Sequence, residues 1–199
     1  MLAVHESSQH DLTTGQKMGA QYKVKWVDID DPNPEDLINN GVFQQGFDNG
    51  GAKFTRLEGI HYGHNGIVVS STDGGAAKQG QVWFYDPAKE TLRLIFESPS
   101  ADVLNYPDNV AVSPRGGILL CEDGDDKEFL HGLTMNGELF KFAENNVILN
   151  GEKNGFKGDF TGAEFAGACY SPDGKWLFVN VQRPGITFAI TGPWDLGVL

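Results

Sequence analysis

Ser113-Pro114-Arg115-Gly116-Gly117-Ile118-Leu119-Leu120-Cys121-Glu122 and Ser171-Pro172-Asp173-Gly174-Lys175-Trp176-Leu177-Phe178-Val179-Asn180 are two copies of one pattern, 58 residues apart. In each, a Ser-Pro-x-Gly turn feeds a short apolar run that ends on a polar residue. Proline at the second turn position presets φ, glycine closes the turn, and a bounded apolar run of this length reads as a strand. Each copy follows another short strand candidate, Asn109-Val110-Ala111-Val112 in the first and Gly167-Ala168-Cys169-Tyr170 in the second. Strand, turn and strand in this order form a hairpin.

Extending outward, the first copy continues through His131-Gly132-Leu133-Thr134 and Glu138-Leu139-Phe140-Lys141-Phe142 around the turn Met135-Asn136-Gly137. The second continues into Gly185-Ile186-Thr187-Phe188-Ala189-Ile190. An earlier unit has the same plan: Gly59-Ile60-His61-Tyr62, Ile67-Val68-Val69-Ser70-Ser71-Thr72, Gly80-Gln81-Val82-Trp83-Phe84-Tyr85 and Thr91-Leu92-Arg93-Leu94-Ile95-Phe96. Glu58 and Asp108 are 50 residues apart, as are Asp73 and Asp123. Repeats of about 40–60 residues built from four short strands belong to β-propeller blades. The expected fold is therefore all-β, a β-propeller of about three to four blades. A propeller closes with about four to eight blades, so the chain reads as part of a larger ring.

Two segments are expected: a poorly ordered lead-in over residues 1–21 and a partial propeller over 22–199. The lead-in holds His5, Glu6, Ser7 and Ser8 and lacks the apolar core of a secretory signal. Tyr22-Lys23-Val24-Lys25-Trp26-Val27-Asp28-Ile29 alternates as a strand. Asp30 to Asp36 then cap one helical turn through Leu37 and Ile38, and residues 41–51 read as a glycine-rich loop.

With 27 acidic against 15 basic residues, the net charge is −12 and the isoelectric point about 4.7. Such a field repels nucleic acid and anionic lipid, which excludes both as expected partners, and favours cations. No run of apolar residues reaches the length of a membrane span. Cys121 and Cys169 are too few for a disulfide framework and sit among small or apolar neighbours, as buried free thiols do. His61 and His64 flank a turn and read as structural, and no serine occupies a nucleophile elbow.

In a propeller the innermost strands line a channel, and the loops at their ends surround its mouth. The repeat register puts Glu58 and Asp108 just before first strands, Glu122 and Asp123 at the end of a second strand, and Glu164 ahead of the third first strand. Carboxylates converging there suit Ca²⁺ or another hard cation. For Asp73, Asp123, Asp125 and Asp126 the preferred reading is instead that of solvated turn formers. Glu58 and Glu164 lie beside apolar or glycine neighbours, where a carboxylate needs a partner. Arg56, two residues before Glu58 on an extended stretch, points to the same side; it either pairs with Glu58 or holds an anionic substrate.

Arg56-Leu57-Glu58-Gly59, Pro107-Asp108-Asn109, Cys121-Glu122-Asp123-Gly124, Glu164-Phe165-Ala166-Gly167-Ala168-Cys169, Ser171-Pro172-Asp173-Gly174 and the run from Gln182 to Trp194 together resemble the C-terminal part of the PhoX-type alkaline phosphatases. The resemblance runs from about Trp26 to Trp194. It implies a six-bladed propeller carrying Ca²⁺ and Fe³⁺, hydrolysis of phosphate monoesters, and a periplasmic or secreted location. By motif, Arg56 contacts phosphate and carries the catalytic role, with Asn109 as a further substrate contact. Glu58 and Glu164 become metal ligands, joined by Asp108 and Glu122. The family's N-terminal half, including a cysteine ligand, and its export signal are not matched, so this chain is expected to be a fragment with little activity alone. Two other readings remain: a non-catalytic Ca²⁺-binding or protein-interaction propeller module, whose partner is the missing half, and a lactonase-like propeller hydrolase.

Overall fold

A computed structural model of the chain describes residues 1–4 and 10–199; His5 to Gln9, part of the expected lead-in, lie outside it. Blade one is an antiparallel meander of β3 (Leu57–Gly63), β4 (Gly66–Ser71), β5 (Gln81–Asp86) and β6 (Thr91–Glu97). Its outer edge is extended by β2 (Gln21–Trp26), paired with β6, and by β1 (Leu2–Val4), paired with β2. Blade two comprises β7 (Pro107–Val112), β8 (Ile118–Glu122), β9 (Phe129–Leu133) and β10 (Leu139–Glu144). Blade three has β13 (Phe165–Tyr170), β14 (Leu177–Val181) and β15 (Ile186–Ile190). A separate hairpin, β11 (Ile148–Lys153) with β12 (Phe156–Asp159), joins blades two and three. The sheets do not close on themselves: the architecture is a partial propeller.

Strand periodicity explains the stacking. Side chains alternate between the two faces of a strand, and β8 is buried at every position. Ile118 and Leu120 pack with Val68, Phe84 and Val110 between blades one and two. Leu119 and Cys121 pack with Phe165, Val179 and Val181 between blades two and three. A strand covered on both faces reads as an unbroken apolar run, which is what Ile118-Leu119-Leu120-Cys121 is. In β5, Val82 and Phe84 face blade two, while Trp83, fully buried, turns to a third cluster with Leu12, Val24, Ala52 and Leu94.

That third cluster also takes in described residues of the 1–21 segment. Ala3 and Leu12 are buried, and the backbone N–H of Leu12 donates to Lys53 O at 2.9 Å. Described residues of the 1–21 segment thus cover the outer face of blade one. The helix is also displaced from its expected position. Leu37 to Asn39 form only a turn, held by the Asp36 carboxylate accepting from the N–H groups of Ile38 and Asn39. The α-helix, α1 (Val42–Asp48), lies inside the stretch expected to be loop. Its Gly46 docks so closely on Met1 that a Cβ there would stand 2.5 Å from the Met1 sulfur. Tertiary contact, against local propensity, decides this helix.

The Ser-Pro-x-Gly turns are alike. Gly116 N–H donates to Ser113 O at 2.9 Å and Gly174 N–H to Ser171 O at 2.8 Å. Both glycines take positive φ, +96° and +68°, a region that glycine enters at no steric cost. Cys121 is buried as expected, and burial pushes its thiol well above the ordinary range. Cys169 is exposed instead, because in β13 it is Ala168, the residue beside it, that faces the core. No helix among the described residues is long and apolar enough to cross a membrane.

Candidate metal centre

The innermost strands of the three blades stand side by side, β3 against β7 and β7 against β13. The approach of β7 to β3 depends on Gly59, where a Cβ would lie 2.6 Å from the carbonyl oxygen of Asp108. Ser70 Oγ bridges the same gap, accepting from Gly59 N–H at 3.0 Å and donating to Asp108 O at 3.4 Å. The glycine after Glu58 is therefore what lets Asp108 reach the channel beside it.

There Asp108, Asp123 and Glu164 each offer a carboxylate oxygen, all within 4.8 Å of one another. The three are half-buried. Two oxygens that share a Ca²⁺ at about 2.3–2.6 Å are at most about 5 Å apart, so one hard cation fits between these three. Burial and the neighbouring charges of Asp123 and Glu58 raise Asp108 to about 6. Burial, a hydrogen bond that the protonated Glu164 carboxyl donates to Asp123, and the charges of Asp123, Asp108 and Glu128 raise Glu164 to about 8. Asp108 Oδ1 is buried with no hydrogen-bond partner. A buried, unpaired acceptor among like charges is the arrangement that a cation relieves. The donor set is all carboxylate, which selects hard cations over soft ones.

Arg56 and Glu58 flank this group from blade one. Arg56 Nε donates to Glu58 Oε1 at 2.9 Å, and the guanidinium lies 5.8 Å from the centroid of the Tyr106 ring. Burial opposes its charge, but Glu58, Asp73 and Asp123 outweigh that and raise its pKa. The stretch is not extended at Arg56, which has φ of +40°, nor at Tyr106, with +51°. Left-handed backbone at non-glycine residues costs energy and clusters at functional sites.

The structure sorts the remaining candidates. Glu58 is near enough for its charge to act on Asp108 but is engaged with Arg56. Asn109 spends its side-chain oxygen on the backbone N–H of Ala168 at 3.2 Å, bracing β7 against β13. Glu122 is not brought into the group. It is 2 % exposed, accepts from the N–H groups of Asn105 at 2.8 Å and Phe129 at 3.1 Å, and lies 2.9 Å from His131 Nε2. Its neighbour Asp123, read as a turn former, is instead the residue that joins the cluster; Asp125 and Asp126 are solvent-exposed. Asp73 accepts from Thr55 Oγ1 at 2.7 Å. His64 Nε2 lies 2.6 Å from Gly116 O, a structural tie between blades one and two.

A family model described as Alkaline phosphatase PhoX matches residues 3–185. The chain belongs to the PhoX alkaline phosphatase family. A comparison with curated proteins finds no match. PhoX proteins are metalloenzymes, and the acidic triad of this chain is a possible binding site for such a metal. The match also supports a phosphatase-like function, with phosphate monoesters as the substrate class.

Proposed function

We propose that this PhoX-family chain carries about half of a phosphomonoesterase site on half of a six-bladed propeller. The observation that carries the proposal is the meeting of Asp108, Asp123 and Glu164 within 4.8 Å, with Arg56 beside them. Asp108, Asp123 and Glu164 hold hard cations, Ca²⁺ with Fe³⁺ being the pair that the family resemblance implies. Glu58 adds a ligand once Arg56 turns from it to a phosphate oxygen. When bound, the metals supply Lewis-acid stabilisation of the in-line displacement and a template for the ester.

The work of this chain's own side chains is electrostatic. Arg56 presents a fork of N–H donors that matches two phosphate oxygens, and Tyr106 stacks beneath the guanidinium and limits its swing. The carboxylate cluster fixes where positive charge collects, and so where a phosphate dianion is drawn. Because Asn109 is committed to β13, any substrate contact it makes comes from its amide nitrogen alone. Export from the cytoplasm belongs to this reading and rests on the resemblance.

The half-propeller reading has its own support. On the open face of blade one, Trp26, Leu57, Ile60 and Tyr62 are all more than half or close to half exposed. Trp26, Leu57 and Ile60 line, with Phe43 and Phe54, an apolar groove of about 510 Å³. Exposed apolar patches of this kind mark interaction surfaces, and further blades belong there. The same face favours the interaction-module reading if no metal is bound.

Elemental analysis of the purified chain, combined with a p-nitrophenyl phosphate assay, tests the proposal. Calcium with iron, and little or no turnover by this chain alone, is expected. Robust chelator-sensitive hydrolysis overturns the half-site reading. Calcium alone with lactone hydrolysis supports the lactonase alternative, and no retained metal supports the interaction module.

A further inference from the structure

The cation triad is assembled from two blades. Asp108 and Asp123 belong to blade two, near the start of β7 and just after β8, whereas Glu164 stands at the entry to β13 of blade three. The chain from blade two to Glu164 runs through the β11–β12 hairpin, whose strands are almost wholly exposed. A two-stranded hairpin is marginally stable by itself in water, so it does not fix Glu164 through the covalent chain.

A buried amide bypasses the hairpin. Asn145, 1 % exposed, follows β10, and its backbone N–H donates to the carbonyl oxygen of Glu128 at 2.9 Å. This continues the β10–β9 ladder one step beyond the Glu144–Phe129 pair and anchors Asn145 to blade two. Glu128 is itself fully buried. The side chain of Asn145 reaches across to the turn in front of Glu164. Its Nδ2 donates to Phe160 O at 2.7 Å and to Ala163 O at 2.8 Å, and its Oδ1 accepts from Val147 N–H at 3.1 Å. Ala163 N–H also donates to Phe160 O, at 3.0 Å, so one amide holds both end carbonyls of this turn.

Ala163 immediately precedes Glu164. On the far side, Glu164 O accepts from Gln182 N–H at 2.9 Å, which ties the same stretch to blade three. Gly162 brings the turn against the loop that carries Asp123: a Cβ there would stand 3.1 Å from Asp126 O. Asn145 spends both of its amide donors on the turn, so its effect on the site is geometric.

We infer that Asn145 is a positioning residue of the cation site: it locks the turn that delivers Glu164 onto blade two, and so sets where Glu164 stands relative to Asp108 and Asp123. The inference rests on the reading of the triad as a cation site, and adds to it the group that holds the third ligand in place. Residues that orient metal ligands in this way typically contribute about 10–100-fold to affinity.

The test is a double-mutant cycle on the full chain stripped with chelator. CaCl₂ is titrated calorimetrically into wild type, Asn145→Ala, Glu164→Ala and the double variant. Asn145→Ala is expected to weaken Ca²⁺ uptake about tenfold when Glu164 is present and by less than about twofold when it is absent, because groups acting through one another are not additive. Its melting temperature in chelator falls in both backgrounds, since Ala163 O loses its partner either way. Where Glu164→Ala binds Ca²⁺ too weakly to titrate, LaCl₃ replaces CaCl₂ in all four proteins, its third charge raising affinity for carboxylates. Where Asn145→Ala does not fold, Asn145→Ser takes its place in the cycle. Unchanged affinity on replacing Asn145, or an equal loss with and without Glu164, makes Asn145 a packing residue and overturns the inference, while the triad stands. If wild type takes up no Ca²⁺, or Glu164→Ala binds as wild type does, the triad reading and the inference fall together.

Discussion

Glu122→Ala lowers folding stability by about 2–6 kcal/mol, the cost of leaving two buried backbone donors unsatisfied at about 1–3 kcal/mol each. The carboxylate receives two backbone N–H groups, from Asn105 and Phe129, and lies against His131, which is 1 % exposed. Alanine leaves these two backbone donors in the interior without an acceptor, and each carries its full desolvation cost. Domains of this kind are stable by only about 5–15 kcal/mol, so the loss is a large share of the total. Glu122→Gln retains an acceptor and the side-chain volume, and is milder. Guanidinium denaturation measures both. A loss under about 1 kcal/mol for the alanine variant contradicts this role. Such a variant would also keep its cation affinity if it folds, which separates Glu122 from the triad beside it.

The second large effect is on stability against pH in the absence of metal. Asp108, Glu128 and Glu164 are raised to about 6, 7 and 8, above the unfolded values of about 3.9 for Asp and 4.3 for Glu. The folded chain therefore holds more protons than the unfolded chain across this window. The sign follows: the contribution of these groups is fully present below about pH 4 and is lost as pH rises through about 6, 7 and 8. In chelator, the melting temperature falls from pH 5 to pH 8. For a chain of this size about 1 kcal/mol corresponds to about 2–4 °C, so a fall of several degrees is readily measured by calorimetry. Saturating Ca²⁺ flattens the profile, since a cation favours the ionised carboxylates, and its uptake at pH 7 releases protons. A melting temperature that rises from pH 5 to pH 8 in chelator contradicts the crowding of acids at this site.

Much of the blade plan is visible in the residues because local and tertiary demands agree. The Ser-Pro-x-Gly turns and the runs they feed have the same meaning alone as in the fold. The β11–β12 hairpin carried a signal too, the pair Asn154-Gly155, whose φ values of +51° and +85° are those of a tight hairpin turn. Its strands lack an apolar face: β11 and β12 are almost wholly exposed, so periodicity has nothing to register. The α1 helix was hidden for the opposite reason. Gly46 weakens helix propensity, and only the approach of Met1 explains it.

The site was legible in part. Asp108 and Glu164 follow from their place relative to the first strands, and Arg56 with Glu58 from their spacing. Glu122 and Asp123 are neighbours with opposite fates, because consecutive side chains at the end of a strand leave on opposite faces. Glu122 enters the blade and Asp123 enters the channel. Sequence carries that difference only through the burial of β8, where Leu120 and Glu122 share a face, and Cys121 and Asp123 share the other. Glu128 has no sequence signal, since its burial is created by the return of the loop.

The most direct test of the cation site is a calorimetric titration of Ca²⁺ into the chelator-stripped chain at about pH 7.5, wild type beside Asp123→Asn. Saturable uptake by wild type, weakened at least about tenfold in the variant as loss of a ligating oxygen requires, is the predicted result. No saturable uptake by wild type, or equal affinity in Asp123→Asn, would contradict the assignment of Asp108, Asp123 and Glu164 as a metal-binding triad.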